Sequence, residues 1–217
     1  CEGDLSGRSV VVTAGGTREP IDPVRFIGNR SSGKQGYAIA EAAQKRGAQV
    51  TLITTVDAPT VFGAKVIKVE SAAEMDAAVK KNNEADIIIM AAAIADFRPS
   101  KSLTTKIKKD DGAPAIILEE TNDILAGLGA SKKKGQVLVG FAAETDDLIK
   151  NASKKLVQKN IDAIVANDVS AEGVGFTHET NAVTILTSDG QSRSVSLRSK
   201  REIAEEVLNT VVDLVKR

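Results

Sequence analysis

The sequence predicts a doubly wound α/β fold: a mainly parallel sheet, helices on both faces, and a β-hairpin near the carboxyl terminus. Two observations carry this expectation. Short apolar runs without alternation recur between stretches of helical spacing, as strands buried on both faces require. One strand-to-helix connection is also about three times longer than the roughly 2 to 6 residues usual in such folds, which marks a loop kept for a ligand. With 217 residues and 42% hydrophobic content the chain can bury a substantial core. Residues 1–217 read as one domain, with 1–6 as a linker or remnant.

The first apolar run, 9–13, leads into TAGGTREPIDPVRFIGNRSSGK (13–34) and then an alanine-rich helix over 33–46. Further strands are expected at 49–54, 65–69, 86–92, 136–142 and 161–166. Helices are expected at 71–83 and 146–158, with a shorter one after Thr121-Asn122-Asp123. Ser71 and Glu74 form a capping-box pattern, in which each side chain satisfies the other's free backbone donor. Residues 97–114 hold Pro99, several lysines and Asp110-Asp111-Gly112, and read as a long mobile loop, followed by an extra strand at 115–119. Runs 181–186 and 192–197 flank Ser188-Asp189-Gly190, a hairpin signal that suits a sheet edge or an oligomer contact. A last helix covers 200–216. Strand, helix, strand in this order is the Rossmann-like pattern, with ligands at the carboxyl ends of the strands.

Lys+Arg and Asp+Glu both number 29, so no global charge draws the chain to nucleic acid or membrane. Aromatics at 3% argue against base-stacking platforms. The only cysteine is Cys1, which excludes a disulfide framework or cysteine-ligated zinc within one chain. The apolar run 87–95 is too short to span a bilayer, and no signal-peptide pattern opens the sequence, so a cytoplasmic setting is expected. His178, the sole histidine, reads as a loop residue.

Three constellations can carry chemistry. Gly28 to Gln35 nearly matches a P-loop, but Gln35 stands where a magnesium-binding hydroxyl belongs. Gly15-Gly16 lacks the G-x-G-x-x-G spacing, and the second strand ends in Thr54-Thr55 without the acidic residue expected on a ribose. What remains is a helix start near Ser32-Gly33 that can hold an anion, with Arg25, Arg30 and Lys34 adding charge. The second constellation is 91–98, AAAIADFR, where small residues admit a flat ring and Asp96 could hold a ribose hydroxyl or phosphate-bound Mg²⁺. The lysines from Lys106 onward suit either a phosphate-gripping lid or a solvated surface. The third is the helix after Gly140-Phe141, on which Lys155 and Lys159 stack beside the apolar stripe. They either snorkel to solvent or reach a polyphosphate.

Six motifs in order, TAGGTREPIDPVRFIGNRSSGKQGYAIA, AAAIADFRPS, KIKK, TNDILAGL, VGFAAET and KNIDAIVANDVS, closely resemble the bacterial, CTP-dependent phosphopantothenate–cysteine ligases of coenzyme A synthesis. The resemblance implies a two-step reaction. The carboxylate of 4′-phosphopantothenate attacks the α-phosphorus of CTP, giving an acyl cytidylate and pyrophosphate; the amine of cysteine then takes the acyl group and CMP leaves. By position it assigns CTP contacts to Ala92, Asp96, Lys106, Asn122, Asp123, Ile124, Leu125, Phe141, Lys155 and Lys159, with Mg²⁺ held through the phosphates near Asp96. It assigns Asn29 to the acyl cytidylate and Lys106 to the α-phosphate as catalytic residues. Gly15, Gly16, Ser31, Ser32 and Gly33, with Asn29, fall at the phosphopantothenate end. Arg25 matches an arginine acting across a dimer interface, so a homodimer is implied. Asn122 departs from the family's usual proline, which could loosen the nucleotide loop. In many relatives a flavin-dependent phosphopantothenoylcysteine decarboxylase precedes the ligase; nothing here resembles it, so no flavin is expected. A NAD(P)-dependent reductase and a non-catalytic nucleotide-binding module are the alternatives.

Overall fold

The computed structural model describes residues 3–57, 60–144, 147–168 and 178–216. In chain order its elements are β1 (Ser9–Ala14), β2 (Arg18–Pro20), β3 (Phe26–Gly28), α1 (Lys34–Lys45), β4 (Gln49–Thr54), β5 (Lys65–Lys68), α2 (Ala72–Lys81) and β6 (Ile87–Met90). There follow β7 (Phe97–Pro99), β8 (Leu118–Glu120), α3 (Ile124–Ala130), β9 (Val137–Glu144), α4 (Leu148–Gln158), β10 (Ala163–Asp168), β11 (Thr180–Thr187), β12 (Ser192–Ser199) and α5 (Lys200–Val215).

Among the described residues the main sheet has eight strands in the order β12-β11-β10-β9-β6-β1-β4-β5. From β10 to β5 every pairing is parallel. Renumbered along the chain, those six strands run 3-2-1-4-5-6, the order of dinucleotide-binding sheets, so the order reverses between β1 and β6. Each central strand divides its side chains between two cores. Val10, Val12, Ile87 and Ile89 pack with Ile39 and Ala43 of α1 and with α5; Val11, Ile88 and Leu138 pack with α2, α3 and α4. Burial on both faces explains why these strands lack alternation in sequence.

α5 buries Ile203, Ala204, Val207, Leu208, Val211 and Val212, a stripe at helical spacing, and opens with a capping box between Ser199 and Glu202. At α2 only half of the expected box forms. Ser71 Oγ accepts from Glu74 N–H at 3.2 Å, but the Glu74 carboxylate takes the N–H of Glu70 at 2.7 Å instead.

Two expectations need correction and one holds. The 97–114 segment is not wholly a loop, because Phe97–Pro99 pairs antiparallel with Leu118–Glu120, away from the main sheet. The C-terminal hairpin forms a sheet edge as expected, joined to the main sheet through antiparallel pairing of β11 with β10. Residues 3–6 do not trail away as a linker: Leu5 is buried in the core, and Asp4 pairs with Arg46. No helix among the described residues is long and apolar enough to cross a membrane.

Candidate functional site

A cavity of about 620 Å³ opens where the strand order reverses, at the carboxyl ends of β1 and β6. That size falls in the range of ligand pockets. Its floor is rigid because the two chains leaving the sheet stay laced together. Ala92 N–H donates to Thr13 Oγ1 at 3.0 Å, Ala93 N–H to Gly15 O at 2.8 Å, and Ala95 N–H to Thr17 Oγ1 at 2.9 Å. Ala91, Ala92 and Ala93 present only methyl groups there, leaving room for a flat ring.

One wall is the start of α1. Its N-cap is Gly33 at φ 76°, a left-handed conformation natural to glycine, and a glycine offers no capping side chain of its own to the first-turn amides. Lys34, Gln35 and Gly36 line the cavity at this positive helix end. Close packing of α1 on β1 depends on Gly36, where a Cβ would lie 2.6 Å from the Ala14 Cβ and 2.7 Å from Thr13 O. Lys34 pairs with Glu179. Lys200, 6% exposed, lines the cavity beside them. Burial, and then the nearby Lys34 charge, push its ammonium below the usual lysine value, with Glu179 opposing.

The opposite wall joins α3 to the end of α4. Asp123 caps α3 by accepting from Ala126 N–H at 3.0 Å, and its other oxygen meets Lys159 Nζ at 2.9 Å. Burial raises the Asp123 carboxyl, but the bonds from Lys159 and Ala126 N–H outweigh it and hold the group below the ordinary aspartate value. Lys155 lies in the last turn of α4, and Lys159 is its C-cap, bonded back to Lys155 O at 2.9 Å. Both lysines line the cavity at the negative helix end, which favours them. Asn122 is tied down, since its Nδ2 donates to Asp76 Oδ2 of α2 at 3.3 Å.

The cavity therefore gathers Asn29, Ser31, Ser32 and Gly33 from the long loop, with Ala92, Asp96, residues 122–125, Phe141, Lys155 and Lys159. Asn29 Nδ2 donates to Ile94 O at 3.1 Å, which sets the amide at the mouth. Five expected residues do not line it, exposed Arg30 among them. Gly15 and Gly16 lie behind the wall, where Thr55 Oγ1 bonds Gly16 O at 2.8 Å. Arg25 and Lys106 lie outside it, and an Arg25 guanidinium N–H donates to the O of Ile107, the residue after Lys106, at 2.7 Å. His178 is exposed and does not line the cavity. Lys200, Asn167 and Asn181 line it without having been singled out, because a polar residue facing a crevice from a strand or first helical turn leaves no mark in spacing. Buried Asp22, next to Arg25, did have a signal: Asp-Pro-Val-Arg is a turn sequence with its carboxylate poised to accept.

Fold and crevice together define an α/β protein with a nucleotide-sized, cation-rimmed site at its switch point. The family described as DNA/pantothenate metabolism flavoprotein C-terminal domain matches residues 5–215, and the chain belongs to it. It is 50% identical over 217 residues to the coenzyme A biosynthesis bifunctional protein CoaBC of Bacillus subtilis (strain 168), covering 98% of this chain and 53% of that protein. It is 48% identical over 217 residues to a protein of an unknown prokaryotic organism named cysteine/cysteine sulfinic acid decarboxylase, covering 99% of this chain and 60% of that one. The crystal structure of the C-terminal domain of a CoaBC protein superposes with a TM-score of 0.83 at 40% identity, covering 99% of this chain and 98% of that one. The chain spans about half the length of the curated relatives it matches, so a whole relative's name does not by itself locate an activity in the shared part.

Proposed function

We propose that residues 1–217 form a CTP-dependent phosphopantothenate–cysteine ligase domain acting in coenzyme A synthesis. The observation that carries this reading is the cavity itself, in which the α1 amino end, Asn29 and the Lys155–Lys159 pair face one another. A carboxylate must approach a triphosphate there against strong anion repulsion, and fixed cations and helix-end amides lower that barrier. Residues 122–125, Phe141, Lys155 and Lys159 hold CTP, with its pyrimidine over Ala91–Ala93. The phosphopantothenate carboxylate displaces pyrophosphate from the α-phosphorus. The cysteine amine then attacks the acyl carbonyl, gives up a proton, and displaces CMP. Asn29 Nδ2 donates to the acyl cytidylate, and Lys106 neutralises the pentacoordinate α-phosphate.

Among the described residues no group of three or more His, Cys, Asp or Glu is arranged to hold an ion. Mg²⁺ commonly binds through one or two carboxylates plus substrate phosphates, and Asp96 in the cavity suits that role. The ion supplies charge neutralisation when bound.

Arg25 and Lys106 lie outside their own cavity, and Val24, Phe26 and Phe97 are exposed on the neighbouring small strands and turn. A homodimer in which one copy completes the other's site accounts for both features. The substrates place the reaction in the cytoplasm, and in a longer parent protein the domain would follow a flavin-dependent decarboxylase. A nicotinamide reductase is disfavoured by the tip of β4, where Thr54 and Thr55 are engaged by Tyr37 and Gly16 and offer no carboxylate to a ribose.

Incubation with CTP, 4′-phosphopantothenate, cysteine and Mg²⁺ is expected to release pyrophosphate and CMP, with pyrophosphate requiring the acid, the nucleotide and the metal but not cysteine. Pyrophosphate release without the acid, or an NAD(P)H-dependent turnover, would contradict the proposal.

A further inference from the structure

Asp22 belongs to none of the roles assigned above, yet its side chain is fully buried. Its two oxygens serve two different segments. Oδ1 accepts from Val24 N–H and Arg25 N–H, both at 2.8 Å, and closes the local turn. Oδ2 accepts from Ile107 N–H at 3.1 Å, a residue 85 positions away, and meets the Arg25 guanidinium at 3.2 Å. The same guanidinium donates to Ile107 O at 2.7 Å, and Leu103 N–H donates to Ile21 O at 2.9 Å. The lysine loop is thus moored to the 21–25 turn at Leu103 and Ile107. Only Thr104, Thr105 and Lys106 arch between the moorings, and all three are exposed. Desolvation opposes ionisation of Asp22, but three backbone N–H bonds and Arg25 overcome it and hold the carboxyl below its ordinary value.

We propose that Asp22 is the positioning residue for Lys106: its second carboxylate oxygen fixes Ile107 and so sets where the adjacent ammonium meets the α-phosphate. This rests on the ligase reading, since it presumes that Lys106 acts on a triphosphate. An amide cannot replace the carboxylate, because an asparagine side chain there can accept for its own turn but would face the Ile107 N–H and Arg25 with further N–H donors. Asp22→Asn therefore separates the two functions of the group.

The test is steady-state pyrophosphate release by Asp22→Asn, Lys106→Gln and the double variant, beside wild type. The expected result for Asp22→Asn is a kcat about 10²-fold lower, as for other misplaced catalytic groups, with KM for CTP little changed. The double variant should be no slower than Lys106→Gln, because the two changes remove one function. Limited trypsin digestion reads the mooring without activity: cleavage after Lys106, Lys108 and Lys109 should accelerate at least about tenfold, following the population of the opened loop. Should Asp22→Asn fail to fold, Leu103→Pro deletes the other mooring N–H from an exposed position and should lower kcat in the same way. Asp22→Asn retaining more than half of kcat, losses that multiply in the double variant, or unaltered cleavage would each overturn the proposal. Absence of pyrophosphate with the wild type would refute the ligase reading instead, leaving the digestion to judge the mooring.

Discussion

Asn29→Asp is expected to release pyrophosphate in a first turnover and to transfer the acyl group to cysteine about 10²–10³-fold more slowly, the usual cost of one lost transition-state donor. The Asn29 amide lines the cavity and is fixed by its bond to Ile94 O. Aspartate keeps the volume but replaces the donor with an anion, next to an intermediate that is itself anionic. On the ligase reading the triphosphate is held at the far wall, where Lys155 and Lys159 lie, so activation is expected to suffer less than transfer. Quenched-flow detection of an accumulating acyl cytidylate is the measurement. Wild-type ligation rates in this variant would remove Asn29 from the mechanism.

Gly129→Ala is expected to destabilise the fold by at least about 3 kcal/mol, the upper end of overpacking costs. A Cβ at this position of α3 would stand 1.7 Å from Lys159 O and 2.8 Å from its carbonyl carbon, so backbone must move. What moves is the C-cap of α4, which carries a cavity lysine, and CTP affinity should fall along with stability. Gly127, two residues earlier in α3, provides the control. Among the described residues nothing outside its own stretch of helix lies within 4 Å of its would-be Cβ, so Gly127→Ala should be neutral or stabilise by up to about 1 kcal/mol through helix propensity. Urea unfolding of the two variants reads the difference. Equal midpoints would show that α3 and α4 are not held at the separation described.

The parallel strands were legible because burial on both faces leaves an unbroken run of Val, Ile and Leu, as in Ile87–Met90. The cavity's main walls were legible too. An over-long loop before α1 and three alanines after β6 stand out in the sequence, and both line the cavity. β8 falls at the end of the strand expected at 115–119, but the three-residue strands β2, β3 and β7 were not legible. They are too short to show a period, and β7 finds its partner about twenty residues away. Lys200 was hidden for a related reason: its burial comes from the packing of α5 against α1, which no local pattern encodes. Arg25 and Lys106 read as parts of the pocket because charge clustering in sequence carries no direction. The fold places Arg25 on Asp22 and ties both to Ile107, the neighbour of Lys106 in sequence, outside the lining of the cavity.

The most direct test of the central claim is a crystal structure with CTP, Mg²⁺ and 4′-phosphopantothenate. The triphosphate is expected within hydrogen-bonding distance of Lys155 and Lys159, the pyrimidine against Ala91–Ala93, and the pantothenate carboxylate beside Asn29. Nucleotide density anywhere other than the crevice between β1 and β6 would contradict it.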